Sequence, residues 1–218
     1  MEPLTVQAIT LREKRKQAIR QKIHTQACLI IQDTGLNNLT IDRVCQATGI
    51  TKKTFYNYFP SRHTLLLSLC QSLLLDQNLS LVRHVCQQTT TLEQRLQHFF
   101  LRFKERFSHR GTLEKELIRF LLTNFIDHRD EGTDIHQQML ATYAELFHSD
   151  HHELAPGLDS QLCAEITVGM LNTITLDWLS DEHCPIEHRL DDLYQFINSS
   201  MISRSSVNNP GLTEPPIS

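Results

Sequence analysis

At 218 residues the chain is long enough for one or two domains with cores of their own. Its 40% hydrophobic and 21% charged residues are ordinary for a globular protein and exclude a disordered or fibrous chain. The net charge of −4 conceals a division: residues 1–62 hold ten Lys or Arg against four Asp or Glu, and the remainder holds eleven against twenty-one. A basic head on an acidic body suits a protein that holds a polyanion at one end only.

In chain order, residues 1–11 carry no helical pattern. The first predicted helix runs from Arg12 to Thr34, with Ile19, Ile23, Ala27, Ile30 and Ile31 on its buried stripe and Gly35 as its stop. Its start is dense in cations: Arg12, Lys14, Arg15, Lys16, Arg20 and Lys22. Two short helices are expected next. Thr40 is a candidate N-cap, and Ile41, Val44 and Cys45 mark the buried face of the first. Gly49 closes it, because glycine takes the left-handed conformation without steric cost. Thr51 caps the second, whose apolar residues are Ile50, Phe55 and Phe59; Phe55 and Phe59, four apart, share one face. Lys52, Lys53, Thr54, Tyr56 and Asn57 are left for the outside, and Pro60 stops the helix. A tight two-helix unit with a polar, basic and aromatic outer face suits a DNA groove, and the basic start of the first helix then lies against phosphates or reaches a minor groove.

Thr40, Ala47, Gly49-Ile50, Thr51, Thr54-Phe55-Tyr56-Asn57-Tyr58-Phe59 and Arg62 resemble, in order and spacing, the helix-turn-helix of the TetR family of bacterial transcriptional regulators. The resemblance covers roughly residues 12–76. It implies that Lys52, Lys53, Thr54, Tyr56 and Asn57 face the major groove of double-stranded DNA, while Thr40, Thr51, Tyr58 and Arg62 hold phosphates. Many members have Gly where this chain has Lys53, so a charged side chain stands where their backbone approaches DNA closely.

A Leu-rich fourth helix is expected from Ser61 to Gln87. Further helices follow at about 92–109, 112–128, 133–149, 159–181 and 186–204, punctuated by Gly111, Gly132, Pro156-Gly157 and Pro185. The sequence therefore predicts an all-α fold of about nine helices: a three-helix head (12–76), a C-terminal ligand-binding and dimerisation bundle (77–204) and a disordered tail (205–218). Seven of the ten Phe fall between 99 and 147, including Phe125, and most of any such set is core. The resemblance favours an apolar inducer cavity among them, with Phe99, Phe103, Phe107, Phe120, Met139, Tyr143, Phe147 and Trp178 as candidates. It likewise makes the last two helices a four-helix interface between two protomers, with Leu162, Ile166, Gly169, Met170, Thr173, Leu193, Phe196 and Ile197 as its residues.

The expected function is a homodimeric repressor released from a palindromic operator by a small apolar or aromatic ligand. Control of the same fold by a protein partner is the first alternative, and a metal-dependent enzyme on a helical body the second. The enzyme has little support: Gly-x-Ser-x-Gly, a phosphate-cradling Gly loop and His-Glu-x-x-His are all absent. Neither a cofactor nor a metal is expected. The body histidines (among them His128, His148, His151, His152), with Asp134 and Asp150 nearby, read as surface residues. Six cysteines without a Cys-x-x-Cys pair, an N-terminus without an apolar targeting segment, and no apolar stretch near ~18–20 residues imply a reduced, cytoplasmic protein.

Overall fold

The computed structural model describes residues 10–127, 129–148, 153–181 and 183–203; the side chains of residues 124–134 are not described. His128, Asp150, His151, His152, the side chains of Phe125 and Asp134, and the expected tail thus lie outside the described residues. Among the described residues the only extended pairing is an isolated antiparallel bridge, Leu154 to Ile202. Among the described residues nine α-helices make the fold: α1 (Leu11–Thr34), α2 (Ile41–Thr48), α3 (Lys52–Tyr56), α4 (Arg62–Gln88), α5 (Leu92–Ser108), α6 (Thr112–Asp127), α7 (Arg129–Phe147), α8 (Ser160–Ser180) and α9 (Ile186–Ser200).

Local chemistry accounts for the ends of these helices. Thr10 and Glu13 form a reciprocal capping box at α1. The hydroxyls of Thr40, Thr51, Ser61 and Thr91 accept from the amides of Arg43, Thr54, Thr64 and Gln94, and the Asp159 carboxylate accepts from Leu162. After α2, Gly49 takes φ +68°, so its amide reaches the Gln46 carbonyl and the Ile50 amide reaches that of Cys45. That is a Schellman closure, and it sets the sharp turn into α3. α3 is shorter than the stretch between its expected cap, Thr51, and its expected stop, Pro60. It ends at Tyr56, and the amides of Tyr58 and Phe59 both fold back onto the Phe55 carbonyl. α7 runs through Gly132 instead of starting after it; one glycine costs a helix only about 1 kcal/mol, less than tertiary packing returns.

Two apolar clusters form the core. The body cluster joins Leu81, Val82 and Val85 of α4 to the α5 phenylalanines, Tyr143, Leu146 and Phe147 of α7, Val168 and Leu171 of α8, and Leu190, Leu193 and Ile197 of α9. The head cluster joins Ile23, Ala27 and Ile31 of α1, Val44 of α2, Phe55, Phe59 and the first leucines of α4 to Leu113, Leu117, Ile118 and Leu121 of α6. Met139 and Trp178 touch both.

α4 spans both clusters as a continuous 27-residue helix, long and apolar enough by length and composition to cross a membrane. This corrects the expectation that no such stretch exists. Its leucines are instead occupied by two protein cores in succession. A π-helical turn at Gln71–Leu75 sits where it passes from one to the other. Each extra residue rotates the following apolar stripe by about 100°, which redirects α4 from the head cluster to the body cluster.

Candidate nucleic-acid interface and body cavity

The head positions its outer face by burying the opposite one. Phe55 and Phe59 are fully buried, with ring centroids 6.0 Å apart. The Phe59 ring stacks on His24 at 5.4 Å, and the Arg20 guanidinium lies 5.1 Å above it. Arg20 donates to the Ser68 hydroxyl at 2.9 Å and His24 meets the same oxygen at 3.1 Å, so α1, α4 and the end of the α3 unit are locked together. Lys52, Lys53, Tyr56 and Asn57 are left exposed, with Thr54 and Tyr58 half-buried beside them. A concave surface lined by Leu11, Arg12, Arg15 and Lys16 of α1 and by Thr54, Asn57 and Tyr58 joins the basic helix start to this face. Lys52 Nζ lies 2.6 Å from the Asp42 carboxylate, which raises its pKa through the hydrogen bond and the charge. Both partners are exposed, so solvent screens the pair and a phosphate can replace Asp42 at little cost. Thr40 and Thr51 are exposed while their hydroxyls cap α2 and α3.

Arg62 departs from its expected role. Its Nε donates to the Leu39 carbonyl and its Nη2 to the Leu36 carbonyl, each at 2.6 Å. Burial lowers its pKa from the ordinary guanidinium value. In this structure the guanidinium, expected to hold a phosphate, clamps the start of α4 to the connection from α1 to α2. That connection is a single tight turn, Leu36–Asn38, in which the Leu36 carbonyl also accepts from the Leu39 amide at 3.1 Å. Arg43 also points inward, donating to the Thr34 hydroxyl at 2.9 Å and the Asn38 carbonyl at 3.2 Å.

Of the eight residues expected around a ligand, the structure brings four together. Phe103, Phe107, Met139 and Tyr143 line a body cavity of about 70 Å³, together with residues of α4, α6 and α8. Phe99 and Phe147 are fully buried in the body core instead, Phe99 packing behind the wall against Phe103 at 5.4 Å and Tyr143 at 5.5 Å. Phe120 faces His63 at 5.3 Å on the head side. Trp178 stands edge-on to Phe107 at 4.9 Å, outside the cavity lining. Sequence reasoning missed the polar part of the wall: Asn78, Arg110, Asn172 and Thr175. Arg110 follows Phe107 by three residues at the end of the α5 phenylalanine stripe, and that spacing is the signal that could have revealed it. Its guanidinium stacks 4.1 Å from the Phe107 centroid.

The outer face of α8 carries Leu162, Gly169, Met170, Thr173 and Leu176 exposed, with Ile166 half-buried. On α9 the expected stripe divides. Phe196 is 45% exposed, whereas Ile197 is 0% and Leu193 2% exposed. Those two belong to the chain's own body core, a correction to their place in an interface; an apolar stripe on a helix does not reveal which neighbour covers it. Among the described residues no three His, Cys, Asp or Glu side chains gather as a metal site.

Residues 23–69 match the family model of bacterial regulatory proteins, tetR family. No curated protein matches the chain by sequence. Several solved structures share the fold. A protein from Mesorhizobium loti described as a TetR-family transcriptional regulator aligns with TM-score 0.66 at 18% identity, over 87% of this chain and 99% of that one. Thermus thermophilus FadR, a TetR-family repressor solved with lauroyl-CoA, aligns with TM-score 0.66 at 16% identity, over 88% and 100%. SmeT, the repressor of a Stenotrophomonas maltophilia multidrug efflux pump, aligns with TM-score 0.65 at 13% identity, over 91% and 97%.

Proposed function

We propose that the chain, whose residues 23–69 match the family model of bacterial regulatory proteins, tetR family, is a homodimeric repressor that reads a palindromic operator and is released by a small molecule in its body. The observation that carries this reading is the continuity of the exposed α3 face with the basic start of α1 across one concave surface. Lys52, Lys53, Thr54, Tyr56 and Asn57 enter the major groove; Arg12, Arg15, Lys16, Thr40, Thr51 and Tyr58 meet the phosphates. No catalytic role is assigned to any residue.

Binding is expected to be dominated by charge. Operator selection from a random duplex pool, followed by titration at several salt concentrations, should show log affinity falling by about 0.9 per phosphate contact. Replacing both Arg12 and Arg15 by Ala should make that slope shallower and weaken binding to all sequences alike. An affinity indifferent to salt rules the reading out.

The dimer is supported by the exposed apolar residues of α8 and α9, Leu162, Met170, Leu176 and Phe196. A stable pairing needs roughly 800 Å² per protomer, and such side chains would supply its apolar centre. Met170→Asp places a charge from each protomer near the two-fold axis, desolvated and unpaired. Sedimentation is expected to show a dimer for the native chain and a monomer for this variant, with operator affinity greatly reduced. A native monomer at micromolar concentration overturns the assignment.

Release follows from linkage. A ligand that lowers operator affinity must have its own affinity lowered by the operator by the same factor. The route is α4, whose Leu74, Leu75 and Asn78 form part of the cavity wall while its first turns belong to the head core. The Thermus protein of the same fold, a repressor solved in complex with lauroyl-CoA, accords with control by a small ligand. The small size of the cavity is the observation that favours control by a protein partner, so a ligand must either be small or displace the wall.

A further inference from the structure

The cavity wall carries one charged side chain, which an apolar inducer does not need. Arg110 puts its guanidinium into a wall otherwise made largely of Phe, Leu, Ile, Met and Val side chains. Among the described residues no carboxylate or carbonyl accepts from it within bonding distance. The nearby Glu114 carboxylate instead accepts from the Gly111 amide at 3.0 Å. Besides the Glu114 charge, the face of Phe107 at 4.1 Å and, less closely, that of Phe103 at 5.9 Å steady the cation. The guanidinium is half-buried, and the Glu114 carboxylate favours its charge without bonding to it; an anion bonded directly to it would complete the compensation. Burial pulls the Arg110 pKa down to about 10 and raises that of the Tyr143 phenol. At neutral pH the first therefore remains a cation and the second a neutral hydroxyl able to donate.

We propose that the body cavity takes a small organic monocarboxylate, its carboxylate held by Arg110 and Tyr143 and its apolar part packed among Phe103, Phe107 and Leu171. The planar guanidinium matches a carboxylate in a bidentate pair. A single cation neutralises a single charge, so a dianion would keep one charge uncompensated in this wall, whose other polar side chains are neutral. The volume of about 70 Å³ restricts the occupant to a short alkyl or single-ring acid unless Leu74 and Leu75 of the π-helical turn move outward. This assignment rests on the ligand-control reading and specifies the ligand's chemistry.

The chain's one tryptophan supplies the readout, because Trp178 touches Phe107 of the cavity wall. Trp178 fluorescence is followed while full-length protein is titrated with benzoate and hexanoate, and separately with benzamide and hexanamide, their neutral isosteres. Operator affinity is measured alongside. The acids are expected to bind about ten- to a hundred-fold more tightly than the amides, the range of a buried charge-assisted hydrogen-bonded pair. Arg110→Met should abolish that preference and Arg110→Lys retain part of it, with helix content checked for each. The comparison of acid with amide on the native chain stands even if a variant misfolds. If the amides bind as tightly as the acids and release the operator, the carboxylate assignment is wrong while ligand control survives. If no member of either panel binds or alters operator affinity, both fall.

Discussion

Phe55→Ala is expected to lower the stability of the head by about 3–5 kcal/mol, the usual cost of emptying a fully buried phenylalanine site, and to abolish operator binding at ordinary protein concentrations. Phe55 is 0% exposed and packs against Phe59 beneath the outer face of α3. With five residues, α3 cannot persist on its own helical propensity. Its position depends on this side chain and on the Thr51 cap. Removing the ring leaves a void that the Schellman turn at Gly49, fixed from the other side, cannot close. Denaturant unfolding of the native chain and the variant, with Tyr56→Ala as companion, measures the effect. Tyr56 is half exposed, so its loss should leave the unfolding midpoint nearly unchanged and still weaken operator binding. An unchanged midpoint for Phe55→Ala would contradict the packing described here.

Arg62→Ala is expected to cost about 2–4 kcal/mol of stability without changing the salt dependence of DNA binding. Each of its two hydrogen bonds is charge-assisted and joins a partly buried guanidinium to a carbonyl of the α1–α2 connection; such bonds contribute about 1.5–3 kcal/mol apiece. Lysine should rescue poorly, because an ammonium cannot reproduce the fork that spans Leu36 and Leu39. Unaltered stability together with a shallower salt slope would return Arg62 to the phosphates.

The contrast between these two residues shows what a sequence of this kind discloses. Thr40, Gly49, Thr51 and the Phe55–Phe59 pair act through neighbours three or four positions away, so the helix-turn-helix was legible from spacing alone. The body helices were legible for the same reason, since a repeating apolar stripe reports a helix wherever it folds. Arg62 is bonded to residues more than twenty positions earlier, and only the fold brings them together. Leu193 and Ile197 were equally opaque: their stripe declared that α9 has a buried face, and the packing of α5 decided that the chain itself covers it. The cavity was half read. Its aromatics were visible as a cluster of Phe, but Arg110 stood outside the apolar pattern that led to them. The α3 end was misjudged because Pro60 marks the latest point at which a helix can stop, while the backbone turned back onto Phe55 earlier.

The head's apolar cluster draws Leu113, Leu117, Ile118 and Leu121 from α6, far along the chain from the helices they cover. A head excised at residue 76 would therefore expose the flank of α1 and α4 that these four side chains shield. Such a fragment should associate through that flank or lose its fold, and a chimera joining it to a foreign body should succeed only when the recipient brings an equivalent α6. The head is thus discontinuous in sequence, and on the proposed reading an altered operator preference is better sought by exchanging α3 residues within the intact chain than by moving residues 1–76.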